Sequence, residues 1–115
     1  MTILYKNNTI ERQANSRYNK KWRYPKKVIE KLIATEKYIL QATSLKDIFN
    51  YPSYRLHSLK GNRKDEWSLR LGNTGYRLTF IPYDDKDTPI LNGDILSQCK
   101  TIKIIMITEV SNHYE

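Results

Sequence analysis

The spacing of apolar and polar positions changes once along the chain, from a helical period in the first half to alternation in the second. Between Pro25 and about Ala42, Val28, Ile29, Leu32, Ile33, Ile39 and Leu40 recur every three or four positions, which predicts an amphipathic helix with Pro25 in its first turn. Its opposite face carries Lys26, Lys27, Lys31 and Lys37, which reads first as a solvated surface, with contact to a phosphate backbone as the alternative. Ahead of it, "TILY" predicts a short strand. "NNTIERQANSRYNKKW" predicts a first helix, with Asn8 or Thr9 as cap and Glu11 in the first turn. "TSLKDIF" places Asp47 three residues after Ser44, a loose capping box for one short helix before Pro52.

From residue 66 the period becomes two. In "EWSLRLG" Trp67, Leu69 and Leu71 share one face, and in "YRLTFIP" Tyr76, Leu78 and Phe80 alternate with Arg77, Thr79 and Ile81. The intervening "GNTG" makes the two a hairpin. Residues 83–99 predict an excursion with turns at "DTP" and "NGD" and a small hairpin or helical turn; Asp84, Asp85, Asp87 and Asp94 lack calcium-loop spacing. "TIKIIMITEV" is nearly continuous apolar sequence, the pattern of an interior strand covered on both faces. Helices first and strands later predict an α+β fold in which a small antiparallel sheet packs against N-terminal helices.

Length and composition narrow the class. A chain of 115 residues, 39% hydrophobic and 28% charged, suits one small, well-solvated domain over 1–115. Cys99 is the single cysteine, which leaves no intrachain disulfide, and with two histidines it falls short of the usual closed zinc site, so neither metal nor other cofactor is expected. "MTILYKNNTIERQ" has no apolar signal core, and no run is long enough to span a bilayer, so a cytoplasmic protein with no membrane partner is expected. The formal charge is +8 and unevenly placed. Residues 1–64 hold 15 basic and 4 acidic side chains, a balance of +11, whereas residues 65–115 hold 5 and 8, a balance of −3. Such a field favours polyanions, nucleic acid above all.

With the core pattern assigned, the remaining polar residues are His57, Lys60, Arg63, Lys64, Arg70, Arg77, His113 and Tyr114. They lie before the hairpin, on strand faces opposite the apolar positions, and after the last strand, regions that a small sheet can bring together. This set suits phosphodiester cleavage without a metal: a base takes the ribose 2′-hydroxyl proton, cations neutralise the crowded transition state, and an acid protonates the leaving 5′-oxygen. Imidazole is apt because histidine titrates near neutrality. Each residue also has an ordinary alternative. His57 fits a hydrogen-bonded structural histidine, His113 an exposed bystander, Arg77 a partner of Glu66 or Glu109, and Trp67 and Tyr76 the core.

The stretch "RLHSLKGNRKDEWSLRL…GYRLTF" resembles the central signature of HigB toxins in the RelE/ParE superfamily. There a Leu-His-x-Leu-Lys-Gly run leads to a Trp-Ser strand and then to an Arg-Leu/Ile-x-Phe strand. "VSNHYE" is similar to that family's closing His and Tyr. The likeness covers residues 54–82 and 101–115, and the N-terminal half agrees in element order. It implies a RelE-like fold and a ribosome-dependent messenger-RNA endonuclease acting at the ribosome A site. It further implies a cognate helix-turn-helix antitoxin of HigA type, with operator DNA bound only through that complex. By position, His57 and Lys60 carry over as active-site residues, Arg77 as the phosphate-binding arginine and His113 as the C-terminal histidine. Arg70 carries over across a hairpin loop about one residue different in length, with Arg63, Lys64 and Tyr114 as further RNA contacts. Relatives place an acidic residue and a tyrosine before the final histidine, whereas here Ser111 and Asn112 precede His113 and Tyr114 follows. A one-residue offset turns a side chain to the other face of a strand, which leaves open which group is base and which is acid. Two other readings share the sequence features: a ParE-like toxin that binds gyrase, and a basic RNA- or ribosome-binding module without catalysis.

Overall fold

The apolar run late in the chain organises the molecule. In the computed structural model, which describes residues 1–15, 24–91 and 95–112, that run forms β5 (Ile104–Ser111) with a strand on either side. The other strands are β1 (Thr2–Tyr5), β2 (His57–Ser58), β3 (Trp67–Arg70) and β4 (Arg77–Tyr83), and the helices are α1 (Asn8–Asn15), α2 (Lys26–Gln41), α3 (Leu45–Phe49) and α4 (Ile95–Gln98). Together they make a small α+β fold on a five-stranded sheet ordered β1-β5-β4-β3-β2.

The sheet is mixed, which corrects the all-antiparallel expectation. β2 to β5 pair antiparallel, but β1 lies parallel to β5, with Thr2 beside Ile104 and Tyr5 beside Ile107. Parallel neighbours need a long connection, and here everything between Tyr5 and Ile104 serves as the crossover. The interior position expected for the last strand is the one it takes.

The core lies between the helices and one sheet face. Val28, Leu32 and Ile39 of α2 and Leu45 and Ile48 of α3 pack with Leu69, Leu71, Leu78, Phe80, Ile105, Ile107 and Val110. Full burial of side chains of this size stabilises by about 1.5–3 kcal/mol each before the entropy cost of ordering them. Leu40, expected on the α2 stripe, is 57% exposed, because Ile39 and Leu40 are consecutive and the helix turns one of them away. The lysine face of α2 is exposed, with Lys26 3.9 Å from Glu30.

Local signals are partly rerouted. Asn7 caps α1, its Oδ1 accepting from the Ile10 amide at 2.9 Å, so the cap lies one residue ahead of the expected Asn8 or Thr9. Pro25 is the N-cap residue of α2. That helix has no basic residue in its last turn; the Met1 ammonium instead donates to the carbonyls of Ile39, Leu40 and Ala42 at 2.7–3.2 Å, a cation at the negative end of the helix dipole. Ser44 is the N-cap of α3 but makes no side-chain cap bond. The first amides of α3, Leu45 and Lys46, donate to Ile102 and Cys99, and Asp47 reaches back to the Thr43 amide at 2.8 Å. The excursion after β4 contains a turn closed on Asp84 Oδ1, a bridge between Tyr83 and Pro89, and the one-turn α4. Among the described residues no helix is long and apolar enough to cross a membrane.

Candidate functional site

β4 and β5 stay in register from Tyr83/Ile104 to Phe80/Ile107, then slip by one residue, so that Thr79 faces Glu109 and Thr108 is the extra residue of a bulge. The slip keeps Val110 on the core face beside Leu78 while Glu109 stays beside Thr79 on the other face. That second face is polar but not open at its centre. Ser68, Thr79 and Thr108 are buried, covered by the segment that runs from β2 to β3. Thr79 Oγ1 lies 3.0 Å from Thr108 Oγ1, and the Thr108 hydroxyl donates to Glu66 Oε1 at 2.6 Å. Glu66 in turn accepts two bonds from Arg63, at 2.7 and 3.0 Å, and Arg63 Nη2 also lies 3.5 Å from Glu109. The Arg63 guanidinium holds the Glu66 carboxyl below the usual carboxylate range, against partial burial, and the Thr108 hydroxyl helps.

Beside this clamp lies a cleft of about 710 Å³ lined by Arg55, Leu56, His57, Ser58, Leu59, Lys60, Arg63 and Arg77. The backbone explains how a two-residue strand supplies most of one wall. After a 3₁₀ turn at Pro52–Tyr54, Arg55 takes the left-handed conformation (φ 47°) and reverses the chain. A non-glycine residue there costs about 1–2 kcal/mol. The reversal aims the Arg55 carbonyl at the ring of His57, 2.6 Å from Nδ1. Because a carbonyl oxygen only accepts, Nδ1 carries the hydrogen, and the neutral ring has its lone pair on Nε2. β2 then pairs with β3, His57 opposite Ser68, and the Leu59 amide donates to Glu66 O at 2.9 Å with Leu59 buried. This fixes Lys60 at the rim, before a second 3₁₀ turn at Gly61–Arg63.

The structure therefore gathers His57, Lys60, Arg63 and Arg77 in one cleft, in which every described ionisable lining residue is a nitrogen base or cation. Arg63 lines the cleft and its guanidinium is also paired with Glu66 and Glu109, so it serves as wall and clamp. These are the two carboxylates considered as partners of Arg77. Lys64 is exposed and does not line the cleft. Arg70 stands opposite Arg77 in the sheet, yet its guanidinium is bonded to Gly72 O at 2.8 Å and Asn73 Oδ1 at 3.2 Å and lines a different cleft. His113 and Tyr114 lie outside the described residues.

Arg55 and Glu66 are the site residues that sequence reading missed. Arg55 acts through its carbonyl, which has no side-chain signature. The Arg63/Glu66 spacing of three, inside a basic run, was the legible sign of a local ion pair. Chemically, the cleft can accept a proton at an oriented imidazole and hold an anion among cations. No protein-family model matches the chain, and a search of curated proteins finds no significant relative.

Proposed function

We propose that this protein is a RelE-like, HigB-type toxin: a cytoplasmic, ribosome-dependent endoribonuclease that cleaves messenger RNA in the A site and is restrained by a helix-turn-helix antitoxin. The observation that carries the reading is the oriented His57 in a cleft with Lys60 and Arg77, whose described lining residues include no carboxylate. The reaction needs no metal ligand set. His57 Nε2 takes the proton of the ribose 2′-hydroxyl, the 2′-oxygen bonds to phosphorus, and the 5′-oxygen leaves. The products are a 2′,3′-cyclic phosphate and a 5′-hydroxyl. Lys60 and Arg77 hold the phosphate oxygens as charge builds. The proton for the leaving oxygen comes from a second acid, a role we assign to His113 as the other histidine of the chain.

The test is cleavage of a defined messenger on programmed ribosomes by purified wild-type, His57→Ala and Arg77→Ala proteins, with circular dichroism as the control for folding. Wild type cuts within the codon in the A site; both variants fold and lose most of the cleavage. Variants that remain fully active would remove the nuclease assignment of this cleft. Repeating the reaction with magnesium replaced by polyamine or an exchange-inert cobalt complex, on ribosomes verified intact, tests metal independence: cleavage persists.

A further inference from the structure

A second cleft, of about 680 Å³, lies beside the β3–β4 turn, lined by Lys27 and Lys31 of α2, Arg70 of β3, Ser53, Asn73 and Thr74 among others. Its one lining carboxylate, Glu30, stands 3.9 Å from Lys26. Lys27 and Lys31 are one helical turn apart and repel each other, so nothing in the helix itself favours the pair.

Two of the three cations are held in place by the same turn. Gly72 has φ +60°, and a Cβ there would come within 2.9 Å of Lys31 Cε and 3.1 Å of Cδ, so the lysine stem lies flat against the glycine. From the other side, Arg70 donates to Gly72 O and Asn73 Oδ1. These bonds use two of the five guanidinium N–H groups. Cations positioned in advance lose less freedom when an anion arrives.

The two clefts draw on neighbouring positions of the same elements. Arg70 and Arg77 are opposed across β3 and β4, one lining each cleft. Ser53 and Arg55, two residues apart, do the same on the other wall. We propose that the second cleft holds backbone phosphates that flank the reacting one on the same single RNA strand, an inference that rests on the first cleft binding RNA. The strand leaves the first cleft past Arg77, meets Arg70, and continues over Lys31 and Lys27.

The experiment is fluorescence anisotropy with labelled, uncleavable 2′-O-methyl oligouridylates of four and ten nucleotides, over a salt series. The expected result is that Lys27→Ala/Lys31→Ala and, separately, Arg70→Ala weaken the ten-nucleotide ligand by about tenfold at low salt and lower its salt slope by about 0.7 for each phosphate that is no longer neutralised. The four-nucleotide ligand binds these variants as it binds wild type, and Arg77→Ala weakens both lengths. Ten-nucleotide binding unchanged in both second-cleft variants, with Arg77→Ala still weakening it, would overturn this inference alone. An Arg77→Ala protein that binds both lengths like wild type would overturn the first-cleft reading and, with it, the shared strand. The lysines are exposed on the helix surface, so the double variant retains its fold and keeps the test decisive if Arg70→Ala disturbs the turn.

Discussion

At the scale of single residues, two glutamates show how one side-chain type takes opposite roles. Glu36 on α2 is half-buried with its Oε1 fully covered and unbonded, and burial pushes its pKa up to about 7, against a smaller lowering from a Tyr5 hydrogen bond. A raised acid binds its proton more tightly in the folded state, so its cost is absent below the ordinary value of 4.5, grows as pH rises towards 7, and persists above. Glu36→Gln should therefore stabilise the protein at pH 8, by about 1–2 kcal/mol once partial solvent screening is allowed for, and leave it unchanged at pH 4. Urea denaturation at the two pH values checks this; equal midpoints at pH 8 would mean that the carboxylate is satisfied. Glu66 has the reverse sign. Its lowered pKa contributes stability above the ordinary value, and that contribution is lost as pH falls below 4.5. In the cleft, Lys60→Ala should slow single-turnover cleavage by about 30- to 1,000-fold, the 2–4 kcal/mol typical of one electrostatic donor to a transition state. A wild-type rate would show that Lys60 does not touch the reacting phosphate.

At the scale of elements, the apolar period placed α2, the β3–β4 hairpin and β5 because each has a one-sided or continuous apolar face that only one pairing buries. The details that the pattern could not place all depend on backbone groups from distant parts of the chain. Ser44 looked like a cap from its neighbours, but the amides its side chain would have served, those of Lys46 and Asp47, are taken by the carbonyls of Cys99 and of Ser44 itself. β1 carried no sign of its direction, which is set by the strand beside it. The site divided in the same way. That His57, Lys60, Arg63 and Arg77 lie together was legible because His57 and Arg77 fall on the same face of the sheet and Lys60 and Arg63 follow β2 closely. The commitments of Arg63 to Glu66 and of Arg70 to Gly72 were not, because long guanidinium side chains follow local acceptors rather than the pleat. The bulge at Thr108 offers the sharpest element-level test. Deleting Thr108 removes the extra residue, and because Glu109 already lies beside Thr79 and Val110 beside Leu78, both keep their faces in the regular ladder that results. What is lost is the Thr108 hydroxyl bonded to Thr79 and Glu66, so the deletion variant should keep a cooperative thermal transition and lose about 1–3 kcal/mol of stability; no cooperative transition would show that the sheet needs the bulge itself. Gly72→Ala should be milder, about 1 kcal/mol from the positive φ, because the Lys31 stem it meets is flexible.

At the scale of the whole molecule, the uneven charge sets how partners arrive. The basic balance of +11 sits in the half that supplies α1 to α3 and most of the His57 cleft. On the proposed reading, an antitoxin segment that covers this surface should be acidic or amphipathic, and its association should slow steeply with salt, since screening limits steering to about 8 Å at physiological ionic strength. Stopped-flow mixing over a salt series measures it, and a flat rate would show that capture does not depend on the field. The topology adds a constraint in time. The hairpin of β3 and β4 is local and can form early, but β4 keeps one bare edge and β1 has no neighbour until Ile104–Ser111 becomes available. Thr108 and Glu109, which anchor Glu66 and Arg63 behind the cleft, arrive with that same strand. A nascent chain whose last strand is still inside the ribosomal exit tunnel lacks the back wall of its own site, so on the proposed reading cleavage begins only after β5 has emerged.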